Sequence, residues 1–333
     1  MRKSITMLLL AVGVVSPAAG QTGYVFNTPF GDWHNALNWT PFTGVAPMCG
    51  DTAIILANQT CVVGIADECA AVIDVRAGTN PGVLRIQEHK LTISANSTVN
   101  GRVELIAPTS VIPELAINDN LTISGTGVIR ADAPADEMNP ALDVSINVGK
   151  TLTLASGLTV RGSVEFKPAA AGNATLINNG LCLVDVIDEV MVLCDVGSRT
   201  LTLGGTGTFQ VSSGKISVHN VTAMAPNNAL HWKVLGPGYS KPFDWFPCSA
   251  EEEEPLLDPC VLRIAPPATG MNAWNHGSKF TVTGGWFLIE RDVCASGDFT
   301  WSGGKIEVLA VPLAAEPAHQ LPPLRAKFKG TCP

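Results

Sequence analysis

Two arginines are the residues whose type and spacing come nearest to a chemical apparatus. Arg130 and Arg161 each fall nine residues after the start of a Leu-Thr-aliphatic segment, Leu121-Thr122-Ile123 and Leu152-Thr153-Leu154. If those segments are copies of one stacked unit, the two guanidinium groups lie on neighbouring layers. Asp132, Asp136 and Glu137 follow Arg130 in a turn-rich stretch. Such a set can do acid–base chemistry: arginine stabilises or abstracts, and carboxylates hold calcium or act as acid and base. Against this, the position equivalent to Arg130 in the last clear copy is Gln210, and no pair of carboxylates recurs in register. Charged turns are ordinarily just solvated. Arg130, Arg161 and Asp132 therefore stand as an alternative catalytic set, and no residue is assigned to catalysis outright.

The second chemistry is sugar stacking. Trp232, Trp245, Trp274, Trp286 and Trp301 concentrate in the last third of the chain. An indole face stacks on a pyranose while its N–H donates a hydrogen bond. Trp232, Trp245 and Trp274 are the candidates for a glycan-binding strip, with core packing and capping as the preferred use of these rings. Asp185, Asp188 and Glu189 cluster in one turn but lack the Asp-x-Asp-x-Asp-Gly spacing of a calcium loop. Glu251 to Glu254 form a like-charge run that repels itself and stays solvated. The six histidines share no ligand spacing, and no Cys-x-x-Cys or Gly-x-Ser-x-Gly occurs. No metal and no cofactor is assigned.

The chain's own compartment follows from its first residues. Arg2 and Lys3, an apolar run from Ile5 to Val15, and Ser16-Pro17-Ala18-Ala19-Gly20 read as a secretory leader, with the mature chain beginning at Gln21. Loss of Arg2 and Lys3 takes the formal charge from −8 to −10, since no acidic residue leaves with them. An acidic exported chain is a poor ligand for nucleic acid or an anionic membrane, which reward a basic footprint. Past residue 20 no stretch approaches the roughly 18 apolar residues of a membrane span. Nine cysteines in an exported chain read as disulfides. Cys49 and Cys61, Cys182 and Cys194, and Cys248 and Cys260 share one separation of 12. Cys182 and Cys194 are expected to face each other across a hairpin centred on Ile187-Asp188. Cys294 and Cys332 form a fourth candidate pair, which leaves Cys69 odd.

The elements that must position these residues are short strands. Hydrophobic residues make up 46% of 333 positions and charged ones 15%, with 32 Gly and 23 Pro, too turn-rich for a helical protein. Leu91-Thr92-Ile93, Leu121-Thr122-Ile123, Leu152-Thr153-Leu154 and Leu201-Thr202-Leu203 read as repeat copies. So do Ser97 to Leu105 against Leu158 to Phe166, 61 residues apart, and Gly207 to Val218 against Gly297 to Val308, 90 apart. Gly125-Thr126-Gly127 and Gly205-Thr206-Gly207 follow two of the strands at one offset, as bends between faces would. Helix signals are nearly absent. Six Asn-x-Ser/Thr triplets begin at Asn38, Asn58, Asn96, Asn120, Asn173 and Asn220. In a chain rich in these residues most are incidental.

The opening Gly31-Asp32-Trp33, Asn38-Trp39 and Gly50-Asp51-Thr52-Ala53-Ile54-Ile55, followed by Leu-Thr-Ile, Gly-Thr-Gly and Trp-Ser-Gly-Gly motifs, resembles secreted bacterial proteins of the right-handed parallel β-helix, pectin-lyase-like group, including autotransporter passengers. The resemblance implies an all-β fold, a right-handed parallel β-helix or β-solenoid. Its parts would be a leader at 1–20, an aromatic cap at 21–50, a coil at 51–311, a disulfide-stapled insertion at about 226–267, and a Pro/Ala-rich tail at 312–333. In place of the autotransporter group's membrane strand, the sequence finishes Cys332-Pro333. The functional expectation is a secreted, non-enzymatic surface or matrix protein, partnered by further copies of itself or by extracellular polysaccharide. A polysaccharide lyase or glycosidase, and a carbohydrate-binding protein, are the alternatives.

Overall fold

In a computed structural model the regular structure of the described residues is strand, apart from one 3-10 turn at Ala36–Asn38. The structure describes residues 22–108, 111–132, 142–187, 189–195, 197–235, 261–264, 274–276, 278–289, 293–295, 297–308 and 326–328. The leader, Asp136, Glu137, Asp188, Trp245, Cys248, Cys260, Glu251 to Glu254 and Cys332 lie outside these residues.

Successive strands visit three sheets in turn. Thr52–Ile55 joins sheet A, Thr60–Val63 sheet B and Glu68–Ala70 sheet C, and Val72–Val75 returns to sheet A parallel to its predecessor. This circuit repeats until sheets A, B and C hold 10, 11 and 10 strands. A 3-stranded sheet of Trp274–His276, Val293–Ala295 and Ala326–Phe328 serves the last circuits. Among the described residues every strand pairing is parallel except that of Gly23–Phe26 with Trp39–Thr40. The result is an all-β chain of long parallel sheets, compatible with a β-solenoid.

The sequence makes these strands because apolar residues alternate with polar ones over four or five positions, and such alternation buries one side of a strand and wets the other. Lys90–Ile93 and Thr151–Leu154 both bury alternate residues in this way. Inward positions stack into columns along the molecule. In sheet B one column runs Leu84, Val103, Ile129, Val160, all buried. It continues as Cys182, Phe209, Trp232 and Phe280. Each buried aliphatic or aromatic side chain contributes about 1.5–3 kcal/mol relative to exposure. The core is therefore spread evenly along the stack.

Tight bends between sheets fall where Gly stands. At Gly125 φ is +115° and an added Cβ would sit 2.2 Å from the Val99 carbonyl oxygen of the circuit below. Gly205 repeats this, with φ +112° and 2.1 Å to Asn178 O. The threonine beside each Gly is held by an asparagine one circuit back: Thr126 N donates to Asn100 Oδ1 and Thr206 N to Asn179 Oδ1, both at 3.1 Å.

Register corrects several expected repeats. Leu121 and Leu152 do pair, but Leu91–Ile93 belongs to sheet C while the other copies lie in sheet A. Leu201 pairs Ala174, so Leu203 is the residue that continues the Leu152 column, through Leu176. The 61-residue match sets Val103 of sheet B against Val164 of sheet C. All three sheets obey one alternation, so a segment of one resembles a segment of another. The 90-residue match is different: Phe209 and Phe299 share a column of sheet B, and Lys215 and Lys305 a column of sheet C, three circuits apart. Two stretches inside the expected insertion, His231–Val234 and Val261–Ile264, are regular strands of sheets B and C.

The cysteines also differ from their expected pairing. Cys49 bonds Cys69, across a separation of 20, and Cys61 remains a buried thiol. Cys61 points into the core of sheet B, whereas Cys69 sits on the outermost strand of sheet C, beside the opening segment. Cys182 is likewise a buried thiol, so no bridge joins it to Cys194. Leu181–Val184 and Val190–Leu193 do not form a hairpin; they lie in sheets B and C and pair with other strands. Burial pushes both the Cys61 and Cys182 thiols up, to where neither ionises near neutral pH.

Candidate functional site

Arg130 and Arg161 are in register on adjacent strands of sheet B, as their spacing predicts. Their outward column reads Arg85, Glu104, Arg130, Arg161, Leu183, Gln210. Glu104 is nearly buried and takes both neighbours: Arg85 donates from Nε and Nη2 at 3.0 and 2.8 Å, and Arg102 from Nη1 at 3.0 Å. Arg161 Nε donates to Asp185 at 2.7 Å. The Asp185 turn is thus a partner for the arginine ladder. Asp132 ends the Val128–Asp132 strand opposite Ile106, and its side chain is outside the described residues.

Sheet C carries a second polar ladder that the sequence did not reveal. Glu114, Asp143 and Glu165 stand in register on three consecutive strands. Like charges at adjacent-strand spacing repel, and Lys167 offsets them, 2.7 Å from Asp143 and 2.8 Å from Glu165. The Ser145 hydroxyl donates to Glu114. Burial pushes the Asp143 carboxyl up, against Lys167 and helped by Glu165 and Glu114. Lys167, against the pull of burial, is held above its ordinary value by Asp143 and Glu165. The three acids are separated by 29 and 22 residues, because loop lengths vary, so no fixed period announces them.

Further along sheet C, His219 Nε2 lies 2.9 Å from Ser217 Oγ, and its Nδ1 lies 2.9 Å from Asp195 Oδ1. The connectivity is that of a nucleophile, base and acid. Yet Ser217 is only 3% exposed, with Arg263 in register beside it, and the strand's backbone groups are engaged in the parallel ladder on both sides. At that burial, and among the described residues, the hydroxyl is covered and the amides beside it are taken by the ladder. The chain of bonds ties the strand to the preceding circuit. Burial, with Arg263 and Lys215, holds the His219 pKa below its ordinary value, against Asp195 and Glu165.

The tryptophans separate by position. Trp232 is wholly buried and stacks between Phe209 at 4.6 Å and Phe280 at 6.3 Å, so it belongs to the core and offers no face to a sugar. Trp33 and Trp39 are wholly buried too, edge to face at 5.0 Å, and Trp39 Nε1 donates to the Trp33 carbonyl at 2.8 Å. The backbone of Trp274 begins a strand of the smallest sheet, and its side chain is outside the described residues. Trp286 is buried beneath Lys305, whose ammonium is 4.8 Å from the ring centre. Trp301 differs. It follows Val282 in an inward column of sheet B, yet it is 59% exposed.

Large apolar side chains are exposed at both ends of the stack, and also along its length, as at Val111, Val148 and Ile187. At the opening end Phe30, Leu37, Phe42 and Met48 are each at least 60% exposed. Phe30 lies on the outermost strand of sheet B there, and Trp301 on the outermost strand at the other end. Among the described residues no group of three or more His, Cys, Asp and Glu is arranged to hold a metal ion, and no helix is long and apolar enough to cross a membrane. No protein-family model matches the chain, and no curated protein or solved structure matches it significantly.

Proposed function

We propose that the chain is a secreted structural rod, a right-handed parallel β-solenoid of the pectin-lyase-like kind, serving as a surface or matrix component through shape and adhesion. The observation that carries this reading is the parallel pairing that runs through the three long sheets, with a register shift between Leu203 and Gly205. With it go outward ion pairs between neighbouring circuits, Arg85–Glu104, Arg161–Asp185 and Lys167–Asp143. Parallel crossovers are overwhelmingly right-handed, which supports the hand. Phe26, Trp33 and Trp39 would act as the cap that the first turn of a solenoid requires. The leader at 1–20 and the Cys49–Cys69 bridge support export to an oxidising compartment.

The test is incubation of the mature chain, residues 21–333, with acidic and neutral polysaccharides. Retention on the polymer with no release of new chain ends is the expected outcome. Release of ends that stops in Arg161→Ala would replace this reading with the lyase or glycosidase one. Neither retention nor cleavage would remove polysaccharide as the partner.

A further inference from the structure

We propose that the partner at both ends of the rod is a second copy of this chain, bound head to tail. The apolar, acidic opening end of one copy seats on the Trp301 end of the next. The inference rests on the solenoid reading above and names its partner.

The first argument is apolar surface. Phe30, Leu37, Phe42 and Met48 crowd the segment leading into the first circuit, while the same segment buries Phe26, Trp33 and Trp39 on its inner side. A short segment that seals a core with one set of rings and holds a second set out to water is a segment with two contact faces. At the far end Trp301 holds a position that earlier circuits fill with Val234 and Val282, both buried by the circuit that follows. What Trp301 lacks, among the described residues, is the next circuit.

The second argument is the sheet edge. Phe30–Asp32 is the outer strand of sheet B at one end and Phe299–Trp301 at the other; Glu68–Ala70 and Lys305–Val308 are the outer strands of sheet C. The two edges of a parallel sheet are complementary, because each strand bonds upward as its neighbour bonds downward. A second copy displaced along the stack therefore continues both ladders in the same direction. Sheet A is closed to this at the opening end, where the antiparallel strand Trp39–Thr40 covers its edge.

The third argument is charge. Residues 21–70 contain Asp32, Asp51, Asp67 and Glu68 and no lysine or arginine. Residues 300–333 contain Lys305, Arg325, Lys327 and Lys329 against Glu307 and Glu316. In sequence the opening segment is acidic and the closing one more basic, although Asp298 adjoins it and Lys305 is paired with Glu307 at 2.9 Å. That asymmetry favours a head-to-tail pair over contacts between like ends. Because the two surfaces differ the contact is heterologous, and because each copy is displaced along the stack it does not close into a ring, so it propagates into a filament.

The experiment uses sedimentation velocity of the mature chain and two double variants, Phe30→Asp with Leu37→Asp, and Trp301→Asp with Lys305→Glu. All the substituted side chains are exposed or half-exposed, and circular dichroism checks that the β signal is kept; Phe42→Asp replaces the first pair if it fails to fold. The wild type should form oligomers that grow with concentration and shorten with salt. Each variant alone should remain monomeric, with at least a tenfold weaker self-association. An equimolar mixture of the two should stop at dimers, since each supplies one working end. Assembly unchanged in both variants, or a mixture that stays monomeric, would overturn the interface. A wild type that sediments as single elongated particles at every concentration would overturn the assembly and leave the rod standing; single compact particles would remove the rod itself.

Discussion

At the opening end, Trp33 and Trp39 are shut from solvent and hydrogen-bonded to each other, and Cys49–Cys69 staples the opening segment to the outermost strand of sheet C. At the far end, one column of sheet B carries the rings Phe209, Trp232, Phe280 and Phe299, and the neighbouring inward column passes from Val234 and Val282 to Trp301, which stands mostly in water. Among the described residues, one end holds a disulfide and buried rings, and the other ends on strands whose Trp301 is exposed. A stack of like circuits stabilises each by its neighbours, so the terminal ones need either a cap or a partner. The difference between the ends makes a directional head-to-tail contact possible, where two identical ends would favour pairing of like with like.

The comparison is broken most severely from inside the ring column. Trp232→Ala removes the ring between Phe209 and Phe280 and should cost about 3–5 kcal/mol in denaturant unfolding. Because sheet B runs through that point, the loss should unlatch the Trp301 end before the capped end, as hydrogen exchange would resolve. Loss of protection that is uniform along the stack would contradict this. At the opening end, Cys49→Ser with Cys69→Ser frees a loop of 20 residues and should cost about 3 kcal/mol. Local exchange confined to the first circuit is the expected signature.

Acidification sharpens the comparison within sheet C. The folded-state pKa of His219 lies below its unfolded value of about 6.5, so the unfolded chain takes the proton first. Stability from this group is full above that value and is lost as pH falls through it towards the folded pKa. Asp143, raised in the fold, works the other way: its contribution is present at low pH and is lost as pH rises through its folded pKa. Unfolding measured from pH 7.5 down to about 5.5 should show a loss that is reduced in His219→Asn, the remainder coming from His231, which burial with Lys233 and Lys279 also holds below its ordinary value. A slope unaltered by that substitution would show that His219 does not titrate with folding. The smallest effect is expected at sheet B, where Arg161→Ala removes a partly exposed pair worth less than about 1 kcal/mol. A larger loss there would mean that the arginine ladder holds the stack together.

Much of the architecture was legible in the residues. Alternation in segments such as Lys90–Ile93, the Gly-Thr-Gly bends, and the match of Gly207 to Val218 with Gly297 to Val308 correspond to strands, tight turns and equivalent circuits. Register was less legible. Leu91-Thr92-Ile93 looks like Leu121-Thr122-Ile123 because every sheet imposes the same pattern of one residue in and one out, and nothing local tells sheet C from sheet A. Equal Cys spacing misled for the same reason: a separation of 12 carries Cys182 on one sheet to Cys194 beside another. Trp232 could not be told from an exposed tryptophan until its neighbours Phe209 and Phe280 were stacked on it from 23 and 48 residues away. The carboxylate ladder of sheet C is invisible in sequence because loops of unequal length bring Glu114, Asp143 and Glu165 together.

Negative-stain electron microscopy of residues 21–333 is the most direct test of the rod. Eleven strands of sheet B, at about 4.8 Å each, predict a body on the order of 50 Å along the stack, seen singly or joined end to end. Rods of that length, with joints only at their ends, are the outcome the account predicts. Round particles with no long axis, or rods joined side by side, would contradict it.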